Sequence, residues 1–136
     1  MTRPARVFDS WALMAFLENE PSADRVDQLI AEAQESDSKL LITTVNLGEI
    51  WHSTARARSE TVADEKMIEI SSLGFETVDA DWELTRRAAA FKAKYRLAYA
   101  DCFAAALAKL RKLPLVTGDP EFKQLKKEVE IDWIGD

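Results

Sequence analysis

Four acidic residues that are far apart in the sequence stand where strands or helices are predicted to end or begin. Asp9 and Asp119 each follow a short apolar segment, and Glu49 and Asp101 lie in the first turns of two apolar helical segments. Carboxylate oxygens with no histidine or cysteine among them favour Mg²⁺ or Mn²⁺ over zinc. The pattern therefore predicts a magnesium or manganese site.

Each of these acids also has a purely structural explanation. Asp9 can cap the helix that follows it, and Glu49 can close a capping box three residues after Asn46. Asp101 is favourable at a helix N-terminus because of the helix dipole, and Asp119 precedes a proline in an ordinary turn sequence. These explanations hold one residue at a time, but they leave two carboxylates on the sheet-facing turns of apolar helices unexplained.

Electrostatic repulsion indicates what such a cluster would require. Four carboxylates about 6 Å apart repel each other by ~3 kcal/mol per pair at an effective dielectric near 20, or ~15 kcal/mol over all pairs before screening. That energy is as large as the whole stability of a small domain. If the four acids meet, they need a cation or shared protons.

Alternating elements predict how the acids are brought together. Predicted strands cover about residues 5–8, 39–43, 75–79, 114–117 and 129–134. Predicted helices run from a cap at Ser10 to Leu17, from Ser22 through Ala33, from a cap at Asn46 or Thr44 to Ala55, then over about 62–73, 82–96, 99–112 and 122–125, with Gly74 ending the fourth. Strands separated by helices pair in parallel through right-handed crossovers. We therefore expect a three-layer α/β/α sandwich with a central parallel sheet.

The predicted sheet places all four acids at one edge. In an open parallel sheet, ligands bind outside the carboxyl ends of the strands, which is where Asp9 and Asp119 stand. Glu49 lies within the first turns of the helix after the second strand, and Asp101 lies in the first turn of the helix that leads into the fourth. Small residues at Ala105 and Ala108 share a helix face with Asp101, so this helix can approach the sheet closely and direct the carboxylate into the cleft.

Composition limits the class of protein. The 136 residues suit one domain over 1–136, with 47% apolar and 31% charged residues. The balance of 18 basic and 24 acidic residues gives a net charge of −6, unlike the basic face of a typical nucleic-acid binder. No apolar stretch reaches the ~20 residues of a membrane span, and the N-terminus has no apolar signal core. Together with a single cysteine, this predicts a cytoplasmic protein with no membrane contact.

Other reactive or aromatic residues carry weaker expectations. His52 is the only histidine, which excludes a histidine-pair ribonuclease, and Cys102 is expected to be a buried packing residue. The tryptophans at 11, 51, 82 and 133 are expected in the core, although Trp11 or Trp51 could line the cleft or a dimer contact. Basic residues at 86, 87, 92, 94, 96, 109, 111 and 112 form solvated helix faces or, alternatively, hold RNA phosphates.

Four sequence segments resemble the motifs of PIN-domain ribonucleases, and they occur in the family's order. They are residues 7–13, 43–49, 99–108 and 115–122, and the resemblance extends from about residue 6 to residue 134. The short layout is similar to the VapC-type toxins of toxin–antitoxin pairs in particular. Gly48, directly before Glu49, departs from the pattern without removing an acidic group.

The resemblance implies a Mg²⁺-dependent endoribonuclease, with Mn²⁺ as a possible substitute. It implies that Asp9 and Asp101 are the main metal ligands, that Glu49 and Asp119 complete the catalytic site, and that Thr117 supports it. Glu49 or Asp119 would orient the attacking water, and the products would carry 3′-hydroxyl and 5′-phosphate ends. The implied partners are an RNA substrate, a co-encoded antitoxin that covers the cleft, and a second copy of the chain in a homodimer.

Alternative functions remain open at this point. A PIN-fold nuclease can act in RNA processing without an antitoxin, and a PIN fold can serve as a non-catalytic binding module. A phosphatase of the haloacid-dehalogenase type would need a second aspartate where Trp11 stands, and a receiver domain would need adjacent acids after the first strand. The sequence therefore favours the nuclease over the phosphatase and the receiver domain.

Overall fold

A computed structural model describes residues 5–135, so most of the N-terminal segment considered for a signal core lies outside the described residues. The strands are β1 (Arg6–Phe8), β2 (Leu40–Thr43), β3 (Phe75–Val78), β4 (Leu115–Thr117) and β5 (Ile131–Trp133). The α-helices are α1 (Ser10–Leu17), α2 (Ala23–Ser36), α3 (Thr44–Ala57), α4 (Glu60–Ser72), α5 (Trp82–Lys94) and α6 (Tyr99–Arg111), and a 3₁₀ helix covers Pro120–Leu125. Every predicted element is present, and each boundary lies within three residues of its expected position.

The five strands form one sheet in the order β3-β2-β1-β4-β5, and every neighbouring pair is parallel. The chain builds outwards from β1 to β3 and then crosses back to place β4 beside β1. This makes the junction of β1 and β4 the point where the strand order reverses. In parallel sheets, that point opens a crevice at the carboxyl ends of the strands.

Helices cover both faces of the sheet and confirm the expected three-layer α/β/α architecture. Alternate strand residues belong to different apolar clusters: Val7 and Leu115 pack on the side of α5 and α6, whereas Phe8 and Val116 pack on the side of α1 and α2. This alternation follows from the two-residue period of a strand. The alanines at 104, 105, 106 and 108 of α6 are at most 1% exposed, which confirms the close approach of this helix.

Two helix starts differ from the sequence prediction. The cap of α3 is Thr43, whose hydroxyl accepts a hydrogen bond from the Asn46 backbone nitrogen at 3.0 Å, so the predicted caps Asn46 and Thr44 are wrong. Thr43 is the last residue of β2 and has an extended backbone, so its side chain can reach the backbone of the first turn of α3. Asn46 lies inside the helix, and the capping box with Glu49 is therefore also wrong. Similarly, the cap of α1 is Asp9 and not Ser10, since its carboxylate accepts from the Ala12 nitrogen.

The tryptophans only partly follow the core prediction. Trp82 is 71% exposed because it is the first residue of α5, ahead of the buried face that starts at Leu84. The core assignment is therefore wrong for Trp82. Trp11, Trp51 and Trp133 are half-buried. Among the described residues, no helix has the length and apolar character needed to cross a membrane.

Alanine substitutions at two glycines next to the candidate site are expected to change the free energy of unfolding in opposite directions. A Cβ at Gly118, just after β4, would overlap the Trp11 ring and lie 3.0 Å from the Gly135 Cα, whereas a Cβ at Gly48 would meet nothing within 4 Å. We expect Gly118→Ala to lower the free energy of unfolding by about 1–3 kcal/mol through overpacking. Gly48→Ala, in the interior of α3, should raise it by about 0.5–1 kcal/mol.

Urea denaturation of both variants checks this pair. If Gly118→Ala were as stable as the parent, the close packing of Trp11 on the end of β4 would be wrong.

Candidate active site

Asp9 is fully buried at the junction of β1 and α1. Its Oδ1 accepts a hydrogen bond from the Ala12 nitrogen at 2.8 Å, and its Oδ2 accepts one from the Thr117 hydroxyl at 2.5 Å. The pKa of Asp9 is raised to about 7, mainly by burial and to a smaller extent by the charges of Asp101 and Asp119, against the lowering effect of these two hydrogen bonds. The helix-cap explanation is therefore correct for Asp9, but it uses only one of the two carboxylate oxygens.

Asp101 lies in the first turn of α6 and is 9% exposed. Its pKa is raised to about 7, first by burial and then by the negative charges of Asp119, Glu49 and Glu121. No hydrogen bond or ion pair within residues 5–135 offsets this cost at the Asp101 side chain. A carboxylate in this position is stabilised by a proton or by a cation.

The acids after β4 complete a group with Asp101. Asp101, Asp119 and Glu121 each place a carboxylate oxygen within 4.8 Å of the other two. Asp119 also caps the 3₁₀ helix by accepting from the Glu121 nitrogen at 3.0 Å, so its turn explanation holds as well. Glu121 was missed at the sequence level. The available signal was its place two residues after Asp119, since a tight turn there returns both side chains to one edge.

Thr117 links two of the acids. Its hydroxyl donates to Asp9 and accepts from the Asp119 backbone nitrogen at 3.1 Å. The link exists because β1 and β4 are neighbours, with Phe8 paired to Val116. Thr117 therefore fixes the end of β1 to the turn after β4.

Glu49 lies at the margin of the cluster. It is half-buried on α3 and close enough for its charge to raise the pKa of Asp101, but it is outside the group within 4.8 Å. The structure thus gathers all four predicted acids at one edge of the sheet. It brings Asp101 and Asp119 together with Glu121, holds Asp9 by hydrogen bonds from Ala12 and Thr117, and leaves Glu49 outside this group.

The donor set fits a hard divalent cation. In residues 5–135, the one group of three or more potential ligands consists of carboxylates alone. His52 is exposed, and Cys102 is fully buried with a pKa raised by burial to about 11, as expected for a packing residue. Oxygen donors alone suit Mg²⁺ or Mn²⁺. A cation would also offset the cost of ionising Asp9 and Asp101.

A basic groove is separate from the acidic cluster. It has a volume of about 240 Å³ between α5 and α6, and its cations are Arg86, Arg87, Lys94 and Lys109. Lys109 and Lys94 contact Glu128 at 2.6 and 3.3 Å. Hydrogen bonds from Lys109 and Tyr95, with a smaller effect from Lys94, lower the pKa of Glu128 to about 2. Two of the four cations therefore serve an ion-pair network between α5, α6 and the segment before β5.

The acids lie where an open parallel sheet places its ligand site, at the reversal of strand order. Sequence comparison gives the family. The profile of the PIN domain matches residues 6–128. The chain therefore belongs to the PIN domain family. No curated protein sequence matches it significantly.

Solved structures of similar fold cover almost the whole chain. VapBC2 from Rickettsia felis, bound to a DNA fragment from its promoter, is 15% identical with a TM-score of 0.71, covering 94% of this chain and 97% of that one. VapC20 from Mycobacterium tuberculosis, a sarcin-ricin loop cleaving toxin, is 14% identical with a TM-score of 0.70, covering 93% and 98%. VapBC-5 from the same organism is 22% identical with a TM-score of 0.62, covering 98% and 100%. At these identities, the likeness establishes the fold.

Proposed function

We propose that this protein is a Mg²⁺-dependent endoribonuclease, with Mn²⁺ as a substitute, and the toxin of a toxin–antitoxin pair. The observation that carries the proposal is the convergence of Asp101, Asp119 and Glu121 beside the buried Asp9 at the reversal of strand order. PIN-domain membership supports nuclease chemistry at that site. We place its activity in the cytoplasm, in a single-domain chain that pairs as a homodimer.

The acids are proposed to bind the metal or to orient the attacking water. Asp9 and Asp101 are the proposed main metal ligands, and Glu121 joins Asp119 at the site. Mg²⁺, when bound, supplies a Lewis acid that stabilises charge on the phosphate oxygens. Thr117 holds Asp9 in place through its hydroxyl. Glu49 or Asp119 orients the attacking water, and the products carry 3′-hydroxyl and 5′-phosphate ends.

The structural neighbours support the toxin assignment and the choice of RNA. Mycobacterium tuberculosis VapBC-5 is a member of a family of toxin–antitoxin systems, and VapC20 from the same organism is a sarcin-ricin loop cleaving toxin. A cluster of acids at an open cleft also attracts basic side chains of a protein partner. We therefore propose that a co-encoded antitoxin covers this cleft with a segment that carries arginine or lysine.

A cleavage assay tests the nuclease proposal. Purified protein is incubated with single-stranded cellular RNA in Mg²⁺, in Mn²⁺ and in EDTA, and product ends are typed by their need for phosphorylation before ligation. We expect cleavage with either metal, none in EDTA, and 5′-phosphate ends. Intact RNA under all three conditions, with metal bound to the protein, would leave the alternative of a non-catalytic PIN-fold binding module.

Growth assays test the toxin proposal separately. We expect expression of the chain alone to arrest growth, and co-expression of the adjacent small gene to restore it. The active-site variant Asp101→Asn is the control, since it should be harmless without a partner. If the active parent enzyme is harmless alone, the RNA-processing nuclease without an antitoxin becomes the better assignment.

Glu121 provides a direct test of which acids form the metal site. We expect Glu121→Gln to weaken Mn²⁺ binding by about tenfold, because it removes one charge from the group around Asp101. Isothermal titration with Mn²⁺ measures the change. Glu130→Gln is the matched control, since Glu130 is exposed before the amino end of β5, at the opposite edge of the sheet. Equal affinity in both variants would remove Glu121 from the site.

A further inference from the structure

Asn46 is the most completely hydrogen-bonded polar side chain near the acidic cluster. It is fully buried in the first turn of α3. Its Nδ2 donates to the Ser10 hydroxyl at 3.2 Å and to the Ala100 carbonyl at 3.1 Å. Its Oδ1 accepts from the Thr43 hydroxyl at 2.6 Å. Both donors and the acceptor of the amide are therefore in use.

Backbone contacts of Asn46 close the same network. The Ser10 hydroxyl donates to the Asn46 carbonyl at 3.1 Å, and the Asn46 nitrogen donates to the Thr43 hydroxyl at 3.0 Å. Among the described residues, every side-chain nitrogen or oxygen that is wholly shielded from solvent has a hydrogen-bond partner. The network is thus fully satisfied, and a satisfied buried network fixes the geometry of the elements it joins.

The partners of Asn46 are neighbours of the acids in the chain. Ser10 follows Asp9, Ala100 precedes Asp101, and Glu49 lies three residues after Asn46 on the same helix. One amide therefore connects the first turns of α1, α3 and α6. Asp9 caps α1, Asp101 lies in the first turn of α6, and Glu49 lies one turn after Asn46 on α3. Strand pairing alone does not fix α3 relative to α6.

We infer that Asn46 is a positioning residue that sets the spacing of Asp9, Glu49 and Asp101 without contacting substrate or metal. The inference rests on the proposed function, since it assigns the purpose of the spacing to metal binding and catalysis. An apolar residue of similar size would fill the same space for packing. It would leave the Ala100 carbonyl and the two hydroxyls without this partner.

The test compares Asn46→Ala with Ile50→Ala, one turn further along α3. Ile50 is also fully buried, and its truncation is expected to lower the melting temperature without touching the network. Both variants are measured well below their melting temperatures, by Mn²⁺ titration and by RNA cleavage kinetics. We expect Asn46→Ala to weaken Mn²⁺ binding about 10–100-fold and to lower kcat more than it raises KM. Ile50→Ala should change neither beyond its effect on stability.

Ser10→Ala is the second variant, in case Asn46→Ala does not fold. It removes the link to α1 alone and should weaken Mn²⁺ binding in the same direction by a smaller factor. Parent-like Mn²⁺ affinity in the folded Asn46 and Ser10 variants would overturn the inference, as would an equal loss in Ile50→Ala. A parent that binds no Mn²⁺ would overturn it as well. A parent that binds Mn²⁺ but leaves RNA intact would overturn only the ribonuclease proposal.

Discussion

Asp101→Asn is expected to reduce RNA cleavage in Mg²⁺ by orders of magnitude while leaving the metal-free protein at least as stable as the parent. The change preserves shape but removes the charge that three neighbouring acids oppose. Relief of that repulsion favours the folded state. Cleavage is lost because no other group within the cluster replaces a buried carboxylate in the first turn of α6.

Two measurements check this result together: a melting curve in EDTA and a cleavage assay on cellular RNA. Asp79→Asn is the matched control, since Asp79 is exposed after β3 and is not part of the group around Asp101. It should leave both readouts unchanged. If Asp101 only stabilised the helix N-terminus, its substitution would cost a few tenths to 1 kcal/mol and spare the activity. A variant that melts lower in EDTA yet cuts RNA at the parent rate would falsify the metal-site hypothesis.

Sequence patterns located the elements because their signals are local. The alanines of α6 predicted a helix packed closely on the sheet, and Gly74, with φ of +92°, ends α4 as expected. The order of the strands in the sheet could not be predicted from such local patterns. The hydrogen bond from Thr117 to Asp9 depends on β4 lying beside β1, and no pattern within either strand specifies that neighbour.

Errors in the prediction arose where one side chain serves two elements. Asn46 resembles a helix cap, but Thr43 already fills that place, which leaves the amide free to join three helices. Glu121 resembles a solvated turn residue, and only the path of the 3₁₀ helix brings it to Asp101. Spacing along the sequence therefore found the acids at strand ends and helix starts, but it missed the side chains whose role depends on tertiary contacts.

The second large effect concerns pH and metal together. In metal-free protein, we expect stability to fall as pH rises from about 5 to 8. The pKa values of Asp9 and Asp101 are raised from 3.8 to about 7, first of all by burial. The unfolded chain ionises both groups near pH 4, so their protonated forms favour folding below that pH, and this contribution is lost as pH rises through about 7. For the fully buried Asp9, three pKa units correspond to an effect on the order of 4 kcal/mol.

The other acid with a strongly shifted pKa, Glu128, does not contribute to the change in stability between pH 5 and 8. Glu128 has its pKa lowered to about 2 by hydrogen bonds from Lys109 and Tyr95. Its contribution is complete above the unfolded value of 4.5 and is lost only as pH falls towards 2. Between pH 5 and 8, the change in stability is therefore attributed mainly to Asp9 and Asp101.

Mn²⁺ should reverse the trend, because binding requires the ionised carboxylates and competes with their protons. At a hundredfold excess over the dissociation constant, the metal adds about 2.7 kcal/mol, whereas at pH 5 the same concentration should add much less. Melting curves are measured under four conditions, at pH 5 and at pH 8, each with Mn²⁺ and with EDTA. Asp101→Asn should flatten both the pH dependence and the Mn²⁺ response, because one of the two raised pKa values is gone. A metal-free parent that is equally stable at both pH values would contradict the raised pKa values of Asp9 and Asp101. An Mn²⁺-induced shift in melting temperature that is the same at both pH values would contradict metal binding by these carboxylates.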